Sequence, residues 1–250
     1  WSFSIHPRIL PWEKGDGMRV GAMTHVGQVR TVNQDGYLAQ DSILAVADGM
    51  GGHQAGEVAS SIALEVMAEW PFDWQHPQES LQQAMARANR EILKLAEGNE
   101  DLAGMGTTLS MALLANKRAH IAHIGDSRIY KFDGRKLHQL TKDHSVVAEL
   151  VRSGALTKTE ALIHPHRNVL TKALGTAPMV LFDTAEENLQ DGDILILCTD
   201  GLYSLITDEE ITDMVGTISD PQQAAERLVA LANERGGHDN ITALVATIEN

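Results

Sequence analysis

Three apolar runs in this chain end alike, each giving way to an aspartate. Ile43-Leu44-Ala45-Val46-Ala47 precedes Asp48-Gly49, Ile121-Ala122-His123-Ile124 precedes Gly125-Asp126, and Ile194-Leu195-Ile196-Leu197-Cys198 precedes Thr199-Asp200-Gly201. A fourth place mirrors them, with Asp239-Asn240 just before the run that begins at Ile241. Short runs of this kind, bounded by Gly and Asp, read as buried strands. Packed strands can hold the carboxylates beside them at fixed separations, and adjacent glycines let backbone approach a ligand closely. Asp-Gly and Asp-Asn are also common turn pairs, and any one of these places taken singly reads as a turn first. Together they suit hard divalent cations such as Mg²⁺ or Mn²⁺, which prefer oxygen ligands. Two such ions held roughly 3.5–4 Å apart turn a shared water into a strong nucleophile and stabilise charge on a phosphoryl group.

The order of segments limits the fold further. Strands are predicted at 18–25 and 43–47, then helices at 56–70 and 77–96. Strands follow at 107–115 and 118–124, joined by Asn116-Lys117, and at 127–132 and 136–140 around Asp133-Gly134. Residues 143–175 mix short helical pieces with loops. Strands return at 180–184 and 194–198, then helices at 208–215 and 221–234, and a last strand at 241–248. A doubly wound parallel sheet would alternate strand and helix strictly. The expectation is instead a mostly antiparallel α+β protein, two sheets with helices outside. Residues 1–17, with Pro7, Pro11, Gly15 and Gly17, read as an irregular leader, and nothing in the composition of 18–250 divides it into two domains.

Charge excludes some functions. With 34 acidic and 20 basic side chains the net charge is −14, which makes a poor binder of nucleic acid. Bound metal ions would reverse the local field and let such a chain act on phosphate, although solubility alone also explains much of the charge. No run is long and apolar enough for a membrane span, and no export signal is visible. The expectation is a cytoplasmic monomer, unless the chain comes from a longer anchored protein. Cys198 is the sole cysteine, so neither an intrachain disulfide nor a cysteine metal cluster can form. Its apolar neighbours suggest a buried thiol rather than a nucleophile.

Other residues carry possible chemistry. Arg30 can bind a phosphate with two parallel hydrogen bonds, or simply be solvated. Asp35 can ligate a metal, orient its water or sit in a turn before Gly36. His53, after Asp48-Gly49-Met50-Gly51-Gly52, titrates near neutrality and suits proton donation to a leaving alkoxide; capping a loop or helix start is the alternative. Gly104-Met105-Gly106-Thr107-Thr108 lacks the lysine of a nucleotide-binding loop and reads as a turn feeding a strand.

Assembled, these residues resemble the bacterial branch of the type 2C family of metal-dependent serine/threonine protein phosphatases. The matching landmarks run from Gly21 to Thr242. They include Arg30 through Asp35, Asp48 through His53 with Gly56-Glu57, Gly104 through Thr108, Gly125 through Arg128, Leu140 through Ser145, His164 through Thr171, Cys198 through Gly201 and Asp239 through Thr242. The resemblance implies a four-layer α-β-β-α sandwich with two central, mostly antiparallel sheets and two ions, Mn²⁺ or Mg²⁺, at one edge. It implies that Asp48 bridges both ions, that the Gly49 carbonyl contacts one, and that Asp200 and Asp239 complete the other. Asp126 with Asp200 corresponds to a third, weaker ion, Asp35 to a holder of metal-bound water, and Arg30 to the phosphate binder. The implied reaction is in-line attack by metal-activated water, without a phosphoenzyme, on phosphoserine and phosphothreonine in targets of a serine/threonine kinase. The proton donor is His53 or a metal-bound water, since Met50 stands where some members carry histidine. Gln34 replaces the glutamate of many relatives, which implies tuning rather than inactivity. Residues 145–175 correspond to a flap, whose Lys158, His164, His166, Arg167 and Lys172 suit guidance of phosphorylated segments or plain solubility. A catalytically weak regulatory relative, a hydrolase of small phosphate esters and a nuclease are the competing readings.

Overall fold

The computed structural model describes residues 17–52, 54–115 and 117–249. All of the expected leader but Gly17, and Asn116 of the expected 116–117 turn, lie outside the described residues. One sheet runs β2 (Asp35–Gln40), β3 (Ile43–Met50), β5 (Leu109–Ala115), β6 (Arg118–Ile124), β9 (Asp183–Asn188), with the short β4 (Gly106–Thr107) paired to the end of β3. The other runs β1 (Met18–His25), β11 (Ile241–Ile248), β10 (Ile194–Cys198), β7 (Arg128–Phe132), β8 (Leu137–Gln139). Every pairing between these strands is antiparallel.

The two sheets stack, and side-chain alternation explains why their strands read as continuous apolar runs. Leu44 and Val46 of β3 meet Leu195 and Leu197 of β10 and Leu244 of β11 in the layer between the sheets. Ile43, Ala45 and Ala47 point the other way, onto α1 (Ala55–Glu69) and α2 (Pro77–Glu97). Three short helices, α3 (Val146–Arg152), α4 (Lys158–Leu162) and α5 (Asp200–Tyr203), come next in the chain. Ile196, Cys198 and Val245 point outward from the second sheet, onto α6 (Asp208–Thr217) and α7 (Pro221–Glu234). A strand covered on both faces has no polar side to present. Each fully enclosed leucine of the middle layer contributes roughly 1.5–3 kcal/mol through burial. The result is the expected four-layer sandwich.

Helix starts follow local chemistry. Thr207 and Glu210 form a reciprocal capping box at the start of α6, and Pro221 follows the Asp220 cap of α7. On the first sheet, α1 sits so close to β3 that a Cβ on Gly49 would lie 2.0 Å from the Gly56 carbonyl oxygen. Two glycines are therefore needed where strand and helix backbones touch.

Several segments differ from the sequence expectation. β2 was not foreseen; it is half-buried throughout, short, and lacks a run of β-branched residues. The strand expected at 180–184 lies later, at β9, a largely exposed and polar edge strand held by backbone pairing to β6. The expected strand 107–115 is split at Thr108, whose backbone and hydroxyl turn to Asp48. β3 continues past residue 47 to Met50, so Asp48 lies within a strand, directly opposite Asp35 of β2.

Candidate active site

One cleft of about 200 Å³ gathers residues far apart in sequence. Arg30, Asp48, Gly49, Asp126, Asp200 and Asp239 all line it, with Gln34, Asn168 and Leu170 among their neighbours. The elements bring them there from both sheets. Asp48 lies within β3 near its end, Asp126 follows β6, Asp200 opens α5 (Asp200–Tyr203) just after β10, and Asp239 precedes β11. The short helix α5 is a further element the sequence reading did not foresee. His53 lies outside the described residues.

Hydrogen bonds fix this arrangement. The Asp48 backbone is clamped by Thr108, whose hydroxyl accepts from the Asp48 amide at 2.9 Å and whose own amide donates to the Asp48 carbonyl at 2.9 Å. The glycine-threonine segment thus serves structure, as expected, by holding an aspartate's peptide in place. Asn240 ties the Arg30 loop to the start of β11: its side-chain amide donates to Val26 and Val32 carbonyls at 3.0 Å, and its oxygen accepts from Gln34 N–H at 2.8 Å. Arg30 donates to Asp239 at 2.9 Å, with the guanidinium about half exposed.

Asp35 stands behind the cleft lining. Its Oδ2 accepts from the hydroxyls of Thr199 at 2.7 Å and Thr242 at 2.8 Å. Its Oδ1, and Oδ1 of Asp200, are buried without a hydrogen-bond partner. Thr199, Thr242, Asn240 and Thr108 had no individual role in the sequence reading. For Thr242 a signal was present: a threonine fully buried in a mostly apolar strand such as β11 needs a polar partner.

The electrostatics are those of crowded acids. Burial first, then repulsion from Asp200 and Asp239, raises Asp35 to about 7 against the pull of its two threonine hydroxyls. Burial, then Asp239, raises Asp200 to about 6. Asp48 and Asp126 are pushed well above the ordinary carboxylate range, by burial and then by the neighbouring aspartates. Among the described residues, no group of three acid, histidine or cysteine side chains is arranged as it stands to hold a metal ion. The donor chemistry nonetheless fits hard divalent cations: only oxygen donors, two of them buried and unpartnered, in an acid cluster that disfavours its own negative charge.

A stability prediction follows for the protein without ions. An acid whose pKa is higher folded than unfolded stabilises the fold fully below its unfolded value, near 4. That stability is lost as pH rises through the folded values, here about 6 and about 7. With chelator present, Tm is expected to fall between roughly pH 5 and pH 8. Added Mn²⁺ should raise it most at the upper end. A chelated Tm that is flat or rising across this range would contradict the crowded-acid picture.

The fold is an α-β-β-α sandwich, and one cleft in it gathers four carboxylates and a guanidinium. Comparison with known proteins supplies the class. Residues 24–234 match the family described as Protein phosphatase 2C. The serine/threonine phosphatase stp of Listeria monocytogenes is 38% identical over 233 residues, covering 89% of this chain and 92% of that protein. The structure of Mycobacterium tuberculosis PstP is 39% identical, with a TM-score of 0.88, covering 93% of this chain and 99% of that one. A PstP catalytic domain in complex with two manganese ions is 37% identical, with a TM-score of 0.85 over 93% of this chain and 99% of that one. The chain belongs to the protein phosphatase 2C family, as a bacterial-type, metal-dependent protein serine/threonine phosphatase. Among the described residues, no helix is long and apolar enough to cross a membrane.

Proposed function

We propose that this chain removes phosphate from phosphoserine and phosphothreonine in the protein targets of a serine/threonine kinase, by direct in-line attack of water and without a phosphoenzyme. The observation that carries this reading is the joint lining of one cleft by Asp48, Asp126, Asp200, Asp239 and Arg30. Asp48, Asp200, Asp239 and the Gly49 carbonyl would hold two Mn²⁺ or Mg²⁺ ions, and Asp126 with Asp200 a third. When bound, such ions supply a water acidic enough to attack at neutral pH and positive charge for the phosphoryl oxygens.

The chain's own residues do the rest. Arg30 is on the cleft wall and half exposed, so its guanidinium can leave Asp239 and make two parallel bonds to a substrate phosphate. Asp35, held by two hydroxyls on Oδ2, keeps Oδ1 to orient a water. Cys198 is fully buried and its thiol pushed up to about 12, which supports a reaction without a cysteine phosphoenzyme. The departing serine or threonine oxygen needs a proton, and no histidine is among the described residues lining the cleft. His53, four residues beyond Gly49 in the sequence, is proposed as that donor, with a metal-bound water as the alternative.

The test uses purified chain with phosphoserine and phosphothreonine peptides. Phosphate release should require Mn²⁺ or Mg²⁺ and stop on chelation. Arg30→Ala should lower kcat/KM about 10- to 100-fold, chiefly through KM. Turnover that survives chelation, or an Arg30→Ala enzyme with unchanged KM, would sink the reading.

A further inference from the structure

The Gly125-Asp126-Ser127 loop is held from several sides. Ser127 is bonded through its hydroxyl to Thr108 at 2.7 Å, and its carbonyl accepts from Ser110 at 2.8 Å. The Gly125 carbonyl accepts from the His144 amide at 2.7 Å. Asp126, between them, is tied to the neighbouring short helix: its backbone carbonyl accepts from the Tyr203 hydroxyl at 3.0 Å. Tyr203 is the last residue of α5, the single turn that begins with Asp200. Residues three apart on a helix share a side, so one turn carries both the Asp200 carboxylate and the hydroxyl that grips Asp126.

The tyrosine ring is itself held. The Arg128 guanidinium lies over it, 3.6 Å from the ring centroid. Arg128 cannot drift, because it forks onto the Asp143 carboxylate, with bonds of 2.7 to 3.2 Å, and donates to the Tyr130 hydroxyl at 2.9 Å. Both partners of that ion pair are largely buried. The bracket continues to the segment beside the cleft, for Arg152, on the helix Val146–Arg152, donates to the Asp143 carbonyl at 3.0 Å.

We propose that Tyr203 is a positioning residue whose hydroxyl sets the spacing between Asp126 and Asp200, and with it the affinity of the weaker ion site those two carboxylates form. The assignment rests on the proposed ion-binding roles of both aspartates. Arg128 and Asp143 hold the ring so that the hydroxyl acts at a fixed height. The hydroxyl grips the Asp126 peptide, and Asp126 belongs to the weaker site alone; Asp200, which the tighter pair also uses, keeps its place on α5 when that one bond is lost.

The experiment is a Mn²⁺ titration of full-length protein without substrate, read by calorimetry and by the resonance signal of free Mn²⁺. Tyr203→Phe keeps the ring that Arg128 covers and removes only the hydroxyl. It should weaken the loosest class of bound Mn²⁺ about three- to tenfold, the scale of one lost hydrogen bond, and leave the tighter classes unchanged. In an Asp126→Asn background the same change should have no further effect, because the two act as one unit. If Tyr203→Phe proves unstable, Arg128→Lys, which loses the fork and the stacking, should weaken the same class alone. Equal weakening of all classes, an effect that adds fully to that of Asp126→Asn, or no effect would overturn the positioning role. A wild-type protein with only two classes would overturn it too, while leaving the two-ion reading standing. A wild-type protein that binds no Mn²⁺ would fail the ion-site reading itself.

Discussion

Replacing Asp48 with asparagine is expected to lower kcat/KM toward a phosphothreonine peptide about a thousandfold while leaving the chelated protein at least as stable as wild type. The two halves of this result have one cause. Asp48 sits at the centre of the acid cluster, where Asp35, Asp200, Asp126 and Asp239 all raise its pKa after burial has done so. Without ions, its charge opposes folding, and an amide of the same shape removes that charge. With ions, the same carboxylate would help hold them, and an amide oxygen is a far weaker ligand for a hard cation. Several kilocalories per mole of transition-state stabilisation correspond to roughly three powers of ten in rate. The measurement pairs steady-state kinetics with thermal unfolding in chelator near pH 8. Activity within tenfold of wild type would remove Asp48 from the proposed mechanism. A large loss of chelated Tm would show that its carboxylate serves the fold instead.

How far the sequence made this visible depends on whether a signal was local. The long helices were legible because their buried face recurs at a fixed period, and the inner strands because burial on both faces makes them short continuous apolar runs; α7 and β11 match the expected ranges residue for residue. β9 was displaced because Val180 and Phe182, partly buried against the first core, are more apolar than the polar edge strand that follows. Its pairing is a backbone matter and leaves little trace in side chains. The aspartates were legible as a set because each sits beside an apolar run. Their unequal surroundings were not. Nothing local says that Thr199 and Thr242 converge on Asp35, or that Tyr203 reaches Asp126, since these pairs lie up to 207 residues apart. Such contacts are set by how the two sheets stack, which a single chain read in order does not contain.

That stacking gives the second large effect, at Gly201. A Cβ built there lies 2.0 Å from the Asn240 carbonyl oxygen, with Ile241 Cα at 3.4 Å. Backbone, unlike the tip of a flexible side chain, cannot swing aside, so Gly201→Ala must push α5 away from the start of β11. Those are the elements that carry Asp200 and Asp239, and Asn240 is also the clamp on the Arg30 loop through Val26, Val32 and Gln34. One methyl group therefore strains the fold and spreads the site together. Overpacking of this kind costs about 1–3 kcal/mol, and for a chain of this size that is a Tm fall of roughly 3–10 °C. Phosphatase activity should fall by more than the unfolded fraction explains, measured well below the lowered Tm, because small misplacements at a reacting centre are amplified in rate. Gly98→Ala is the control, since its Cβ meets only ordinary contacts at 3.9 Å and its φ is negative. It should leave both quantities nearly unchanged. If Gly201→Ala matched it in Tm and in kcat/KM, the close approach of α5 to β11 would not be what sets the distance between Asp200 and Asp239.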